Sequence, residues 1–151
     1  MFKALSAIGT DGAVWLVLGL GLALLLRRPQ LFLLLASADL VGQLSSYGLK
    51  EAVGRRRPHL DPLVGVPHSP SFPSGHAASS FACAAVLAWA EPRLAMPALV
   101  LAAAIAYSRV YLGVHYPLDV IGGAVLGLAV ATALRLLLAA RPRSPRAQPG
   151  D

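Results

Sequence analysis

Three short polar segments interrupt an otherwise apolar chain: Lys50 to Pro58, Pro73 to His76, and Ser108 to Asp119. They supply the cations Lys50, Arg57 and Arg109, the histidines His76 and His115, and the carboxylate of Asp119 four residues past the second histidine. Fixed cations, a paired acid and nucleophile, and an orienting carboxylate are what phosphoryl chemistry needs where no metal balances the charge.

Each segment also has a plainer explanation. In Lys50-x6-Arg57-Pro58, lysine offers a compact charge and arginine a fork that grips two phosphate oxygens; basic residues at a helix end also serve as interfacial anchors. Pro73-Ser74-Gly75-His76 directly precedes an apolar run. Ser74 can cap the helix that follows, and the N–H groups of its first turn form an anion site. Gly75 lets backbone approach an oxyanion, and His76 can give a proton to a leaving oxygen. A capped helix with an incidental histidine fits the same residues. In Ser108-Arg109-x5-His115-x3-Asp119, the last step puts His115 and Asp119 on one face if the helix reaches back that far. Asp119 can then hold one ring nitrogen and leave the other free to attack. Half a metal site, or a structural hydrogen bond, would have the same spacing.

Taken together, order and spacing resemble the three signatures of the type 2 phosphatidic acid phosphatase (PAP2) superfamily, with no departure at any signature position from Lys50 to Asp119. The resemblance implies a metal-independent, cofactor-free phosphatase working through a phosphohistidine. It implies His115 as nucleophile, Asp119 as the keeper of its tautomer, and His76 as acid and then base. Lys50, Arg57, Ser74, Gly75 and Arg109 would cradle the phosphoryl oxygens. Vanadium-dependent haloperoxidases resemble the same signatures but are soluble and much larger. A membrane protein that binds a lipid phosphate without turnover is the non-enzymatic alternative.

The intervening sequence must position these groups, and it reads as membrane scaffold. Of 151 residues 56% are hydrophobic and only 13% charged, against about a quarter charged in soluble domains. Five apolar segments span roughly 13–26, 31–49, 76–90, 95–112 and 118–140, several of them near the ~20 residues that cross a bilayer core. The expected fold is an all-α, polytopic membrane bundle of about five transmembrane helices with a PAP2/haloperoxidase-like core. Residues 1–140 would form one integral membrane domain, and the Arg/Pro/Ser-rich residues 141–151 a basic, disordered tail. The first segment is short and could begin earlier; residues 1–10 could instead form an interfacial helix, and the start reads as a retained span, not a removed signal peptide. Familiar members of the family have six spans and this chain has room for five, so a homo-oligomer whose second subunit completes the groove wall is kept among the partners.

Asp39, Gln43, Ser46 and Lys50 share one face of the second helix. A carboxylate within a span should face protein or water, so this stripe turns inward and delivers Lys50 to a polar cavity; for Asp39 and Gln43 helix packing is the favoured role. Cys83, the only cysteine, permits no intramolecular disulfide and reads as packing. The net charge of +6 comes without an aromatic-interleaved basic surface, so nucleic acid is not an expected partner.

Helix parity puts all three polar segments at one membrane face and Arg27, Arg28, Arg93, Arg141, Arg143 and Arg146 at the other. By the positive-inside rule the site should face the periplasm or exterior of a bacterial plasma membrane. That setting favours a lipid phosphate, with undecaprenyl diphosphate the leading expectation. Phosphatidylglycerophosphate, phosphatidate and a polyprenyl-phosphosugar phosphate are the alternatives. Arg55, Arg56, His59 and His68 in the long loop do not discriminate among them.

Overall fold

Small residues decide how this bundle is assembled. The computed structural model describes residues 12–58, 62–65 and 68–140. The interfacial-helix alternative for residues 1–10, the tail 141–151 and His59 lie outside the described residues. Among the described residues five α-helices follow in order: α1 (Ala13–Leu25), α2 (Pro29–Val53), α3 (Gly75–Ala90), α4 (Ala95–Tyr111) and α5 (Pro117–Ala139), with a 3-10 turn at Pro92–Leu94 before α4. Their boundaries fall within a few residues of the apolar segments, and proline opens both α2 and α5, where its missing N–H costs nothing.

Among the described residues three helices are long and apolar enough to cross a membrane: α2, α5, and α4 taken with its 3-10 turn. The other two are shorter, at 13 residues for α1 and 16 for α3, or roughly 20 and 24 Å at 1.5 Å per residue. For α3 the shortfall is explained by its place. It packs against α2, α4 and α5, so it is shielded by protein and need not match the lipid. Ala77, Ala78, Ala82, Cys83, Ala84 and Val86 on this helix are fully buried.

In lipid no hydrophobic force drives one helix onto another, so close contact relies on small side chains. Gly123 and Gly127 of α5 lie against the backbone of α3. A Cβ on Gly127 would collide with the Ala78 carbonyl oxygen and lie 2.9 Å from the Ala82 nitrogen. Gly42 of α2 meets α3 from another side, with the Ser79 Cα 3.2 Å from where its Cβ would be. Large apolar side chains instead point outward, among them Val17, Leu33, Leu44, Val100, Val125 and Leu136, as a lipid-facing belt requires.

Buried polar links tie α1 and α2 to α3. Trp15 Nε1 donates to Ser80 Oγ at 3.1 Å, pinning α1 to α3. Asp39 accepts from Ser79 Oγ and from Gln43 Nε2, which is the packing role favoured for Asp39. Cys83 is buried and its Sγ faces the Leu35 carbonyl. At one end of the bundle Arg28 pairs with Glu91, joining the start of α2 to the end of α3. At the other end Gly54, with φ of 63°, closes α2 in a left-handed turn that glycine adopts without steric cost. The end of α2, the starts of α3 and α5, and the end of α4 meet there.

Replacing Gly127 with Ala should force α3 and α5 apart, costing about 1–3 kcal/mol as overpacking does. The expected readout is a lower thermal midpoint of the detergent-solubilised protein; an unchanged midpoint would contradict this account of the helix contact.

Candidate active site

Lys50, in the last turn of α2, is brought inside by the polar stripe and is only 8% exposed. Its Nζ donates to the carbonyl oxygens of Pro70 at 2.7 Å and Ser71 at 3.5 Å. Arg57 follows the Gly54 turn in extended chain. Its Nε donates to the Ser69 carbonyl at 2.8 Å and one terminal nitrogen to the Val114 carbonyl at 2.9 Å. The other terminal nitrogen lies 3.2 Å from Ser69 Oγ. Residues 69–71 therefore act as a carbonyl-rich strap that aims both cations. Nothing local in the sequence marks Ser69 for this role.

Ser74 occupies the N-cap of α3, but its side chain makes no capping hydrogen bond, contrary to expectation. Its N–H is committed to the Asp119 carbonyl at 2.8 Å and its own carbonyl accepts from Ala78. The hydroxyl is buried with no partner, beside the first turn of α3. Gly75 opens the helix so close to α2 that a Cβ would sit 3.3 Å from Ser46 Oγ. His76 lies in the same turn, its Nε2 also buried without a partner. Arg109, in the last turn of α4, is 6% exposed.

His115 and Asp119 come together by a route other than a shared helical face. The helix starts at Pro117, so His115 precedes it. Tyr116 is the N-cap, and Asp119 Oδ2 accepts its backbone N–H at 2.9 Å in a capping box. That bond turns the carboxylate back along the chain until Oδ2 lies 3.5 Å from His115 Nδ1. The other ring nitrogen, Nε2, is 3.3 Å from an Arg57 terminal nitrogen. Nδ1 thus faces the carboxylate at a separation too long for a hydrogen bond, and Nε2, opposite the donor-only guanidinium of Arg57, is the nitrogen that bears the lone pair. Asp119 itself has no solvent exposure. Its second oxygen, Oδ1, accepts from Arg55 at 3.0 Å, a residue the sequence could not separate from its neighbour Arg56.

One cavity of about 460 Å³ joins these groups. Lys50, Arg57, Gly75, His76, Arg109 and His115 line it, whereas Ser74 and Asp119 stand behind its wall. The wall on the α2 side continues through Gln43 to Leu40, Leu44 and Tyr47, three residues that point out toward the lipid belt. His68 is exposed and takes no part.

Burial and neighbouring charge favour the neutral form of His115. Burial, and then the charges of Arg57, Lys50 and Arg109, push its imidazole well below the ordinary value of 6.5. Burial also lowers Arg57, while Asp119 opposes that shift.

The model of the PAP2 superfamily matches residues 12–143. A decaprenylphosphoryl-5-phosphoribose phosphatase of Mycobacterium tuberculosis is 38% identical over 132 residues, covering 85% of this chain and 73% of that protein. A crystal structure of a transmembrane PAP2-type phosphatidylglycerolphosphate phosphatase from Bacillus subtilis aligns with a TM-score of 0.75 at 29% identity, covering 94% of this chain and 77% of that one. The crystal structure of Aquifex aeolicus LpxE also gives 0.75, at 30% identity over 87% of this chain and 81% of that one.

His115 should titrate well below 6.5. Imidazole resonances of the detergent-solubilised protein, assigned by loss in His115→Gln, measure this; a normal titration midpoint would contradict the electrostatic account of the cavity.

Proposed function

The chain belongs to the PAP2 superfamily and is a membrane phosphatase of that family, and from that premise we propose that it removes phosphate from a polyprenyl-linked lipid at the outer face of a bacterial plasma membrane. The observation that carries the lipid reading is the shared cavity: its phosphoryl-handling end and the lipid-facing Leu40, Leu44 and Tyr47 form one continuous wall. A phosphate can rest among the cations while an isoprenoid chain stays in the bilayer. A polyprenyl-phosphosugar phosphate is the leading substrate, supported by the mycobacterial relative that aligns along most of the chain. Undecaprenyl diphosphate and phosphatidylglycerophosphate are the comparison substrates.

In the proposed reaction Lys50, Arg57 and Arg109 take the charge of the phosphoryl oxygens, helped by the N–H groups of the first turn of α3, where Gly75 and His76 line the cavity. His115 Nε2 attacks phosphorus as the P–O bond to the leaving group breaks, and His76 delivers a proton to the departing oxygen. Asp119 stabilises the resulting Nε2-phosphorylated imidazolium, whose Nδ1–H faces its carboxylate. Water then attacks phosphorus, His76 takes its proton, and the P–N bond breaks to restore His115. Three cations supply the stabilisation a metal would otherwise give.

Detergent-purified protein in excess EDTA should release phosphate from polyprenyl substrates, and His115→Ala should lose at least ~10³-fold in rate, as removal of a nucleophile does. Leu44→Trp should slow the long-chain substrates while sparing a soluble phosphomonoester. Activity that needs added Mg²⁺, or turnover retained by His115→Ala, would overturn the mechanism. A soluble ester turned over as well as every lipid would overturn the substrate class.

The orientation rests on charge. Arg27, Arg28 and Arg93 lie at the end of the bundle opposite the cavity, and cytoplasmic loops are enriched in such residues. A green fluorescent protein fused after α5 should fluoresce, and a reporter active only in the periplasm should stay silent there. The reverse pattern would place the site inside.

A further inference from the structure

Asp119 is fully buried and must remain charged and correctly turned if it is to steady His115. The capping box accounts for Oδ2 only. Oδ1 is held by Arg55 at 3.0 Å, from a chain segment 64 residues earlier. Arg55 is itself fixed from two sides. Its guanidinium lies over the Tyr116 ring, 4.5 Å from the centroid, and its backbone carbonyl accepts the Ser71 N–H at 2.8 Å. The left-handed Gly54 turn immediately before it sets the direction of the chain. Arg55 does not line the cavity, so it does not reach a bound phosphate directly. Arg56, next in sequence, is exposed and offers only its carbonyl, to Ser71 Oγ.

We infer that Arg55 is a positioning residue for the phosphatase reaction: by holding Asp119 Oδ1 while stacked on Tyr116, it keeps Oδ2 aimed at His115 Nδ1. The inference rests on the phosphohistidine reading of the site. Without Arg55 the carboxylate would keep a single hydrogen bond, from the Tyr116 N–H. It would then be free to swing toward Lys50 or Arg57, where its charge would oppose the incoming phosphate. Cation and ring act as one clamp, since a guanidinium both stacks on an aromatic face and forks onto a carboxylate.

The test measures kcat and KM separately on the best lipid substrate. Arg55→Ala should lower kcat by ~10–100-fold with KM within about two-fold, the pattern of a lost transition-state interaction. Arg55→Lys should recover part of the loss, and Arg56→Ala should match wild type. Adding Arg55→Ala to Asp119→Asn should slow the enzyme no more than about two-fold beyond Asp119→Asn alone, because both act through one carboxylate. A raised KM at unchanged kcat would make Arg55 a substrate contact and overturn the inference, as would additive losses or wild-type kinetics in Arg55→Ala. If Arg55→Ala does not fold, Arg55→Lys supplies the same division between kcat and KM. A silent wild-type protein would instead overturn the phosphatase reading on which the inference rests.

Discussion

Asp119 reaches all three polar segments at once. Its Oδ1 accepts from Arg55 in the first, its carbonyl accepts the Ser74 N–H in the second, and its Oδ2 faces Tyr116 and His115 in the third. A carboxylate with no solvent exposure is strongly disfavoured unless its oxygens are paired. Burying Asp119 therefore depends on all of these partners being in place. Loops that would otherwise be independent become one unit, and the position of His115 is inherited from that unit.

The same economy governs the cations. Lys50 and Arg57 are held by carbonyl oxygens of residues 69–71, not by carboxylates. A carbonyl dipole orients a cation without cancelling its charge, so the cavity keeps a positive field for an anion. Burial first, and then the same charges, lower the His115 imidazole below its ordinary value. Asp119 is the one carboxylate among these groups, and it stands behind the wall, where it acts on the imidazole and not on the anion.

None of this could converge if the helices were thick. Alanine and serine along α3 and glycine along α5 let backbone meet backbone, which brings the start of α3 and the start of α5 close enough for Ser74 to bond Asp119. Large apolar side chains are displaced to the lipid side. The shallow wall at Leu40, Leu44 and Tyr47 is the place where belt and cavity meet.

The residue types of the candidate site, their order and their placement at helix ends are legible in the sequence, because they follow from local hydropathy, Pro and Gly punctuation and motif spacing. So are the five helices, nearly to their limits, since each is a contiguous apolar run. Which loop arginine pairs with Asp119 follows from the tertiary structure. Arg55 and Arg56 are the same residue type one position apart, and the difference between them is a turn at Gly54 and a partner 64 residues away. It also decided that Ser74 leaves its hydroxyl unpaired instead of capping its helix. His115 and Asp119 meet through a capping box, not a helical face, because α5 begins two residues after the histidine. Such choices depend on where distant segments come to lie, and spacing along the chain carries no record of that.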